Sequence, residues 1–306
     1  MYTIGDIIRN RRLELRHSQE SLCFNICTQG TLSKIENGEF TPSRSVFEAI
    51  MERLDFPPEK YPSFVSKNEH RTYELRHDIR RCIAYNDFKK AGELVAQFDN
   101  EAEVSAIYSQ FSAYVKALIL NTGPGKTEES LRMLESALEM TCPGFDVANI
   151  EKRLFFLDET KIVYNIALHY HELGNNDDAL SIMSSLAAYT EKRQINYSAK
   201  ASALVLMYYA LSKLYGIKGE CLKSIHEADK GIELCLKYGL LFTFPYLLFQ
   251  KGYNMLETGG QQDCAVKCIR EAYFIFESMR QPETMQLIKG DLSKRNLSVL
   301  RHFSYG

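Results

Sequence analysis

Apolar residues recur at helical spacing along almost the whole chain, and what changes from region to region is the length of each stripe and its punctuation. In the first sixty residues the stripes are short. Ile4, Ile7, Ile8 and Leu15 share one face of a first helix of about three turns. Ser18 precedes Gln19-Glu20-Ser21-Leu22, where its hydroxyl can accept from the free amides of a second helix. A turn around Asn25–Cys27 leads to Thr28, placed to cap a third helix. That helix turns Leu32 and Ile35 inward and leaves Gln29, Thr31, Ser33 and Lys34 outside, and Asn37-Gly38 stops it. After Thr41-Pro42-Ser43 a fourth helix runs to about Leu54, with Val46, Phe47, Ile50, Met51 and Leu54 inward. Asp55-Phe56-Pro57-Pro58 ends it. Four short helices, two of them joined by a tight turn, form a helix-turn-helix whose third helix is shaped to enter the major groove of DNA.

From about Glu69 the stripes lengthen, broken by turn residues at Tyr85-Asn86-Asp87, 121–126, Gly174-Asn175-Asn176, 215–219 and Gly259-Gly260. Such recurrence implies repeats. The clearest unit, Tyr164 to Gly174 followed by Asp177-Asp178-Ala179-Leu180, resembles a tetratricopeptide (TPR) hairpin. In it the small Ala167 and Ala179 let two antiparallel helices approach, Tyr170 fills the gap and Gly174 makes the turn. With the small residue of the second helix as marker, Ala91, Ser130, Ala179, Cys221 and Ala265 give intervals of 39, 49, 42 and 44 residues. The standard unit is shorter, at about 34. Residues 282–302, carrying Met285, Leu287, Ile288, Leu292, Leu297 and Leu300, supply a terminal helix to cover the last repeat.

Composition narrows the class. A chain of 306 residues, 45 % apolar, points to two domains of unequal size. The start MYTIGDIIRNRR has no apolar core of a signal peptide, and no run approaches the roughly 18 apolar residues of a membrane span, so a soluble cytoplasmic protein without membrane contact is expected. The eight cysteines form no C-x-x-C pair, and only Cys264 and Cys268 stand i,i+4 on one helix. Buried reduced thiols are expected, with no metal and no cofactor. Net charge is −2, and residues 1–64 hold eight basic and nine acidic residues. Between 9 and 34, however, Arg9, Arg11, Arg12, Arg16 and Lys34 face only Glu14 and Glu20. A patch of that size contacts phosphates with modest affinity per copy, which argues for a homodimer on double-stranded DNA. No P-loop, G-x-S-x-G, H-E-x-x-H or Rossmann glycine pattern is present, and His169 and His171 lie on different faces of a helix. An enzyme is not expected.

The run from Arg12 through Ser18-Gln19-Glu20 to Leu22, then Leu32-Ser33-Lys34-Ile35-Glu36-Asn37-Gly38 and Pro42-Ser43, closely resembles the lambda-repressor-like (Xre) family. The resemblance implies that Gln19 clamps a phosphate and that Arg12 pairs with Glu36 inside the domain. The turn is one residue shorter than the commonest version, and Asn25 to Gln29 looks like the variant of PlcR-type and Rgg-type quorum-sensing regulators. Gly30 departs from the pattern, being a poor residue inside a helix. An Xre-like head joined by a short linker to TPR-like hairpins is similar to the RRNPP family of peptide-responsive receptors. The fold so implied is all-α: a lambda-repressor-like helix-turn-helix domain (1–58), a linker (59–68), a right-handed TPR-like superhelix of about five hairpins (69–281) and a C-terminal capping helix and tail (282–306). The function so implied is that of a homodimeric transcription regulator whose repeats bind a short linear signalling peptide.

Candidate DNA contacts are Gln19, Thr28, Gln29, Thr31, Ser33, Lys34, Arg9 and Arg44. On the resemblance to TPR units, particular positions of each first helix line a concave face, which brings forward Arg76, His77, Arg80, Lys161, Tyr164, Asn165, Met207, Gln250, Lys251 and Asn254. Asn165, Gln250 and Asn254 suit the amides and carbonyls of an extended peptide, and Lys161, Arg76 or Arg80 its terminal carboxylate. Two alternatives stay open. One is an Xre-type repressor controlled by a protein partner or small molecule, the other a TPR docking regulator of another enzyme.

Overall fold

The computed structural model describes residues 3–58, 67–193, 198–259 and 262–294, and all regular elements among them are helices. Of the expected linker, residues 59–66 lie outside the described residues, as do Leu297 and Leu300 of the expected terminal helix. The head comprises α1 (Ile4–Glu14), α2 (Gln19–Cys23), α3 (Gln29–Glu36) and α4 (Arg44–Arg53). Each of the first three starts on a side-chain cap. Thr3 accepts from the amide of Asp6, Ser18 from that of Ser21 and Thr28 from that of Thr31. Ile8, Leu22, Leu32, Ile35, Phe47, Ile50, Met51 and Leu54 close around one core. Contact between α1 and α3 is so tight that a Cβ at Gly5 would stand 2.2 Å from the Ile35 carbonyl oxygen.

Five helical hairpins follow. They pair α5 (Lys67–Ala84) with α6 (Phe88–Glu101), α7 (Ala106–Leu120) with α8 (Thr127–Glu139), and α9 (Leu157–Glu172) with α10 (Asn176–Lys192). The last two pair α11 (Ser198–Ile217) with α12 (Cys221–Tyr238) and α13 (Phe244–Glu257) with α14 (Gln262–Ser278). The expected terminal helix begins as α15 (Pro282–Lys294), where Ile288 and Leu292 pack with Ile269, Ala272 and Phe276. Gly38 and Gly174, at φ 74° and 86°, end α3 and α9 in the left-handed conformation that a Cβ penalises.

One marker needs correction. The fourth residue of each second helix is fully buried at the crossing with its partner: Ala91, Ser130, Ala179, Ser224 and Ala265. Cys221 is instead the first residue of α12 and only half-buried. Serine fits the slot because its hydroxyl is satisfied on the spot. Ser130 donates to the Ala117 carbonyl and Ser224 to that of Ser212, each at 2.7 Å. The register of the fourth hairpin therefore shifts by three residues, which turns Met207 into the core at 1 % exposure and leaves Leu206 exposed.

The head shares one unit with the first three hairpins (Met1–Tyr197), and the remaining helices form a second (Ser198–Gly306). The physical reason is a polar junction between α4 and the first helices of the hairpins.

Candidate nucleic-acid interface and the junction behind it

The expected internal ion pair of the head is formed. Arg12 grips Glu36 with two bonds, Nε to Oε1 at 2.6 Å and Nη2 to Oε2 at 2.8 Å, and its Nη1 donates to the His17 carbonyl. Gln19 Nε2 joins on Glu36 Oε2 at 2.8 Å, so one carboxylate ties together α1, α2 and α3. Burial works to raise the pKa of Glu36, but the hydrogen bonds from Arg12 and Gln19 outweigh it and hold the carboxyl below its usual value. Gln19, expected on a phosphate, is thus placed at the start of α2 by an anchor within the protein.

The outer side of α3 carries Gln29 and Lys34 exposed, Thr31 and Ser33 half-buried, and Thr28 exposed just ahead of the helix. Thr28 and Thr31 spend their hydroxyls on each other at 2.8 Å, which orders the helix start. Around Gly30 there is open space, since an added Cβ would meet nothing nearer than the Thr28 hydroxyl at 3.9 Å. Arg9 is exposed on α1. This face offers donors, acceptors and a cation with no covering side chain, which is what readout of base edges and phosphates requires.

Arg44 departs from expectation. It is 3 % exposed, bonded to Glu48 at 2.8 Å and stacked over Phe47 and Tyr73, and so is turned into the protein and away from the α3 face. It opens the junction. Arg76 on α5, expected to meet a ligand, is 4 % exposed and bonds Glu48 and Asp158, both at 2.7 Å. Arg80 holds Asp158 through the same acidic group at 2.8 Å, and both guanidinium groups lie over the Phe111 ring. Glu52 of α4 accepts the Leu157 amide at the start of α9 at 2.7 Å, and Arg53 reaches Glu159 at 3.6 Å. Further round, Arg193 bonds Asp55 at 3.1 Å.

Burial lifts Glu52 to about 7 although Arg80 opposes it, and burial, with Arg80 nearby, lowers Lys161 to about 8. For Asp158 burial is outweighed by Arg80 and Arg76, and its carboxyl is held well below the usual range. Lys161 is half-buried beside Arg80, whereas Arg76 and Arg80 are committed to carboxylates of this chain. A peptide carboxylate would have to displace one of them.

The remaining candidates divide. Tyr164 and Asn165 are half-buried on α9, with the Asn165 amide donating to the Lys161 carbonyl at 2.8 Å. Gln250 is half-buried on α13, and its carbonyl accepts the Asn254 amide. Asn254 itself is 1 % exposed and lies against Gly216 between α11 and α13, turned away from any open face. His169 is a structural residue, held between Ser130 and the Asn165 carbonyl at 2.8 Å each. The cysteines are free, but Cys264 is exposed and Cys27, Cys221 and Cys268 half-buried, so the expectation of burial holds only for the other four. Among the described residues no group of three or more His, Cys, Asp or Glu could hold a metal ion, and no helix is long and apolar enough to cross a membrane.

Sequence reasoning missed the acids of the junction. A signal was available, since Arg44, Glu48 and Glu52 stand at i, i+4, i+8 on a helix whose apolar stripe lies elsewhere. Such a charged row in a helix buried on two sides must find partners.

Residues 8–61 match the family model "Helix-turn-helix". No curated protein sequence matches the chain. Among solved structures, PlcR of Bacillus thuringiensis in complex with the peptide PapR7 and DNA superposes with a TM-score of 0.62 at 18 % identity, over 93 % of this chain and 98 % of that one. The apo form of the competence regulator ComR from Streptococcus vestibularis gives 0.58 at 16 %, over 96 % and 98 %. ComR from S. thermophilus with DNA and its signalling peptide ComS gives 0.54 at 15 %, over 94 % and 98 %. The chain thus carries a helix-turn-helix domain at its N-terminus. Over nearly its whole length it has the fold of these regulators.

Proposed function

We propose that the protein is a sequence-specific DNA-binding transcription regulator of the cytoplasm, dimeric on its operator and controlled by a short linear signalling peptide bound by its repeat helices. The observation that carries the reading is α3: Gln29 and Lys34 stand exposed on a helix whose foundation, Arg12–Glu36–Gln19, is locked from behind. The fold shared with PlcR and ComR supports the rest, since those proteins are described with DNA and signalling peptides. Regulation by a peptide, and not catalysis, is then the work of the hairpins.

Selection of duplexes from a random pool by the full-length protein tests the DNA half. Enrichment of a palindrome is expected, because one head with so few free cations needs a second for tight binding. Gln19→Ala and Lys34→Ala should each weaken the selected site, and retention of full affinity by the double variant would overturn the assignment. For the peptide half, Tyr164 and Asn165 on α9 are the contacts proposed. Asn165→Ala should cost about 1–3 kcal/mol of peptide affinity in calorimetry with a peptide taken from a synthetic library screen, while DNA binding without peptide stays as in wild type.

A further inference from the structure

Between α8 and α9 the chain inserts residues 140–156, with the short 3-10 helix Val147–Lys152 at its centre. This insertion lies against the head. Arg153 sits over the Phe24 ring, 5.1 Å from its centre, and donates to the Pro143 carbonyl at 2.9 Å. Beside it a hollow of about 310 Å³ is lined by Ser18, Glu20, Ser21 and Phe24 from α2 and its flanks and by Lys152 and Arg153 from the insertion. A neighbouring hollow brings His17, on the approach to α2, together with Arg153, Lys192 and Arg193. Arg193 is paired with Asp55 and Lys192 with Glu151, whereas Lys152 is exposed and has no ion pair among the described residues.

The head by itself is short of available charge. Arg11 is held by Glu14 and the Leu54 carbonyl, Arg12 by Glu36 and Arg44 by Glu48, and Arg53 is buried. Arg9, Arg16 and Lys34 are the exposed cations of residues 3–58. When a helix-turn-helix docks, its second helix enters the major groove and its first crosses the phosphate backbone. Here α2 is that first helix, and the insertion stands next to it.

We infer that the insertion supplies a second contact to the phosphate backbone of the duplex, with Lys152 as a free-swinging cation and Arg153 as a fixed one. The inference rests on the reading of the head as DNA-binding, and the partner it assigns is the polyanionic backbone itself, independent of base sequence. Glu20 lines the same hollow and opposes the contact, which makes its removal informative.

The test is a salt titration of the full-length protein on a mixed-sequence duplex of about 30 base pairs. For Lys152→Ala the slope of log affinity against log salt should fall by about 0.9, one phosphate's worth, so that the gap from wild type narrows about 3.5-fold between 50 and 200 mM salt. Glu20→Gln should bind more tightly than wild type. Lys90→Ala, at an exposed site on α6, should change nothing. Unchanged slope in Lys152→Ala, with wild type binding normally, overturns this inference and leaves the head's role standing. A wild-type protein that binds no duplex at any salt overturns both.

Discussion

The two sides of the head treat charge in opposite ways. On the α3 side Lys34 and Gln29 stand in water with no ion pair among the described residues, while on the α4 side Arg44, Glu48, Glu52 and Arg53 are sunk into contacts with α5 and α9. Both sides are rich in polar residues in the sequence. What separates them is commitment. An exposed cation costs little to keep and remains available to a phosphate, whereas a buried one must be met by carboxylates and hydrogen bonds or it destabilises the fold. The exposed side can therefore drift in composition with the DNA it meets, and the buried side must change in concert.

Substitutions can break this contrast, beginning where the effect is largest. Asp158→Ala leaves Arg76 and Arg80 without their shared counter-charge and should cost about 3–5 kcal/mol in urea denaturation. A loss below about 1 kcal/mol would mean that this buried charge cluster between α5 and α9 contributes little to the fold.

Next comes pH. The folded value of Glu52, about 7, lies above its ordinary 4.5, so the folded protein keeps that proton longer. The stability it contributes is complete below about pH 4.5 and is lost as pH rises through 7, at up to about 1.4 kcal/mol per pH unit. Lys161, lowered to about 8, stays charged in both states below that range and adds no slope there. Glu52→Gln should remove this decline in melting temperature between pH 5 and 7; Glu159, which burial also raises, adds to the decline, while His17 and His169, which burial lowers, oppose it.

Gly30→Ala should stabilise by about 0.5–1 kcal/mol, because a methyl meets open space there and glycine is a poor helix residue. If it weakens DNA binding as well, the glycine serves close approach of backbone to duplex. Smallest is Lys34→Ala, which should move thermal stability by no more than about 0.5 kcal/mol, as expected for a solvated side chain.

Much of the architecture was legible because it rests on local chemistry. Caps at Ser18 and Thr28, the stop at Gly38 and the Arg12–Glu36 pair each follow from residues a few positions apart or from a family pattern. Five hairpins followed from turn punctuation. The junction was not legible, because Arg76 meets Asp158 across 82 positions and nothing in the spacing of either announces the other. Met207 was misplaced for a narrower reason: small residues recur in α12 at both 221 and 224, and only packing tells which one sits at the crossing. Asn254 was read as an open-face amide because its helical position fits one, although burial against α11 decides otherwise.

That last contact bears on how this stretch can evolve. A Cβ at Gly216 would stand 2.9 Å from Asn254 Oδ1 and 3.2 Å from its Nδ2, so the asparagine occupies the volume that any side chain at 216 would claim. Neither position is free to wander alone. An alanine at 216 becomes tolerable only after 254 has shrunk, and a shrunken 254 beside the glycine leaves a void until 216 grows. The two sites form a lock that opens in one order, and a double-mutant cycle across them should return a coupling of about 0.5–3 kcal/mol in favour of the paired change.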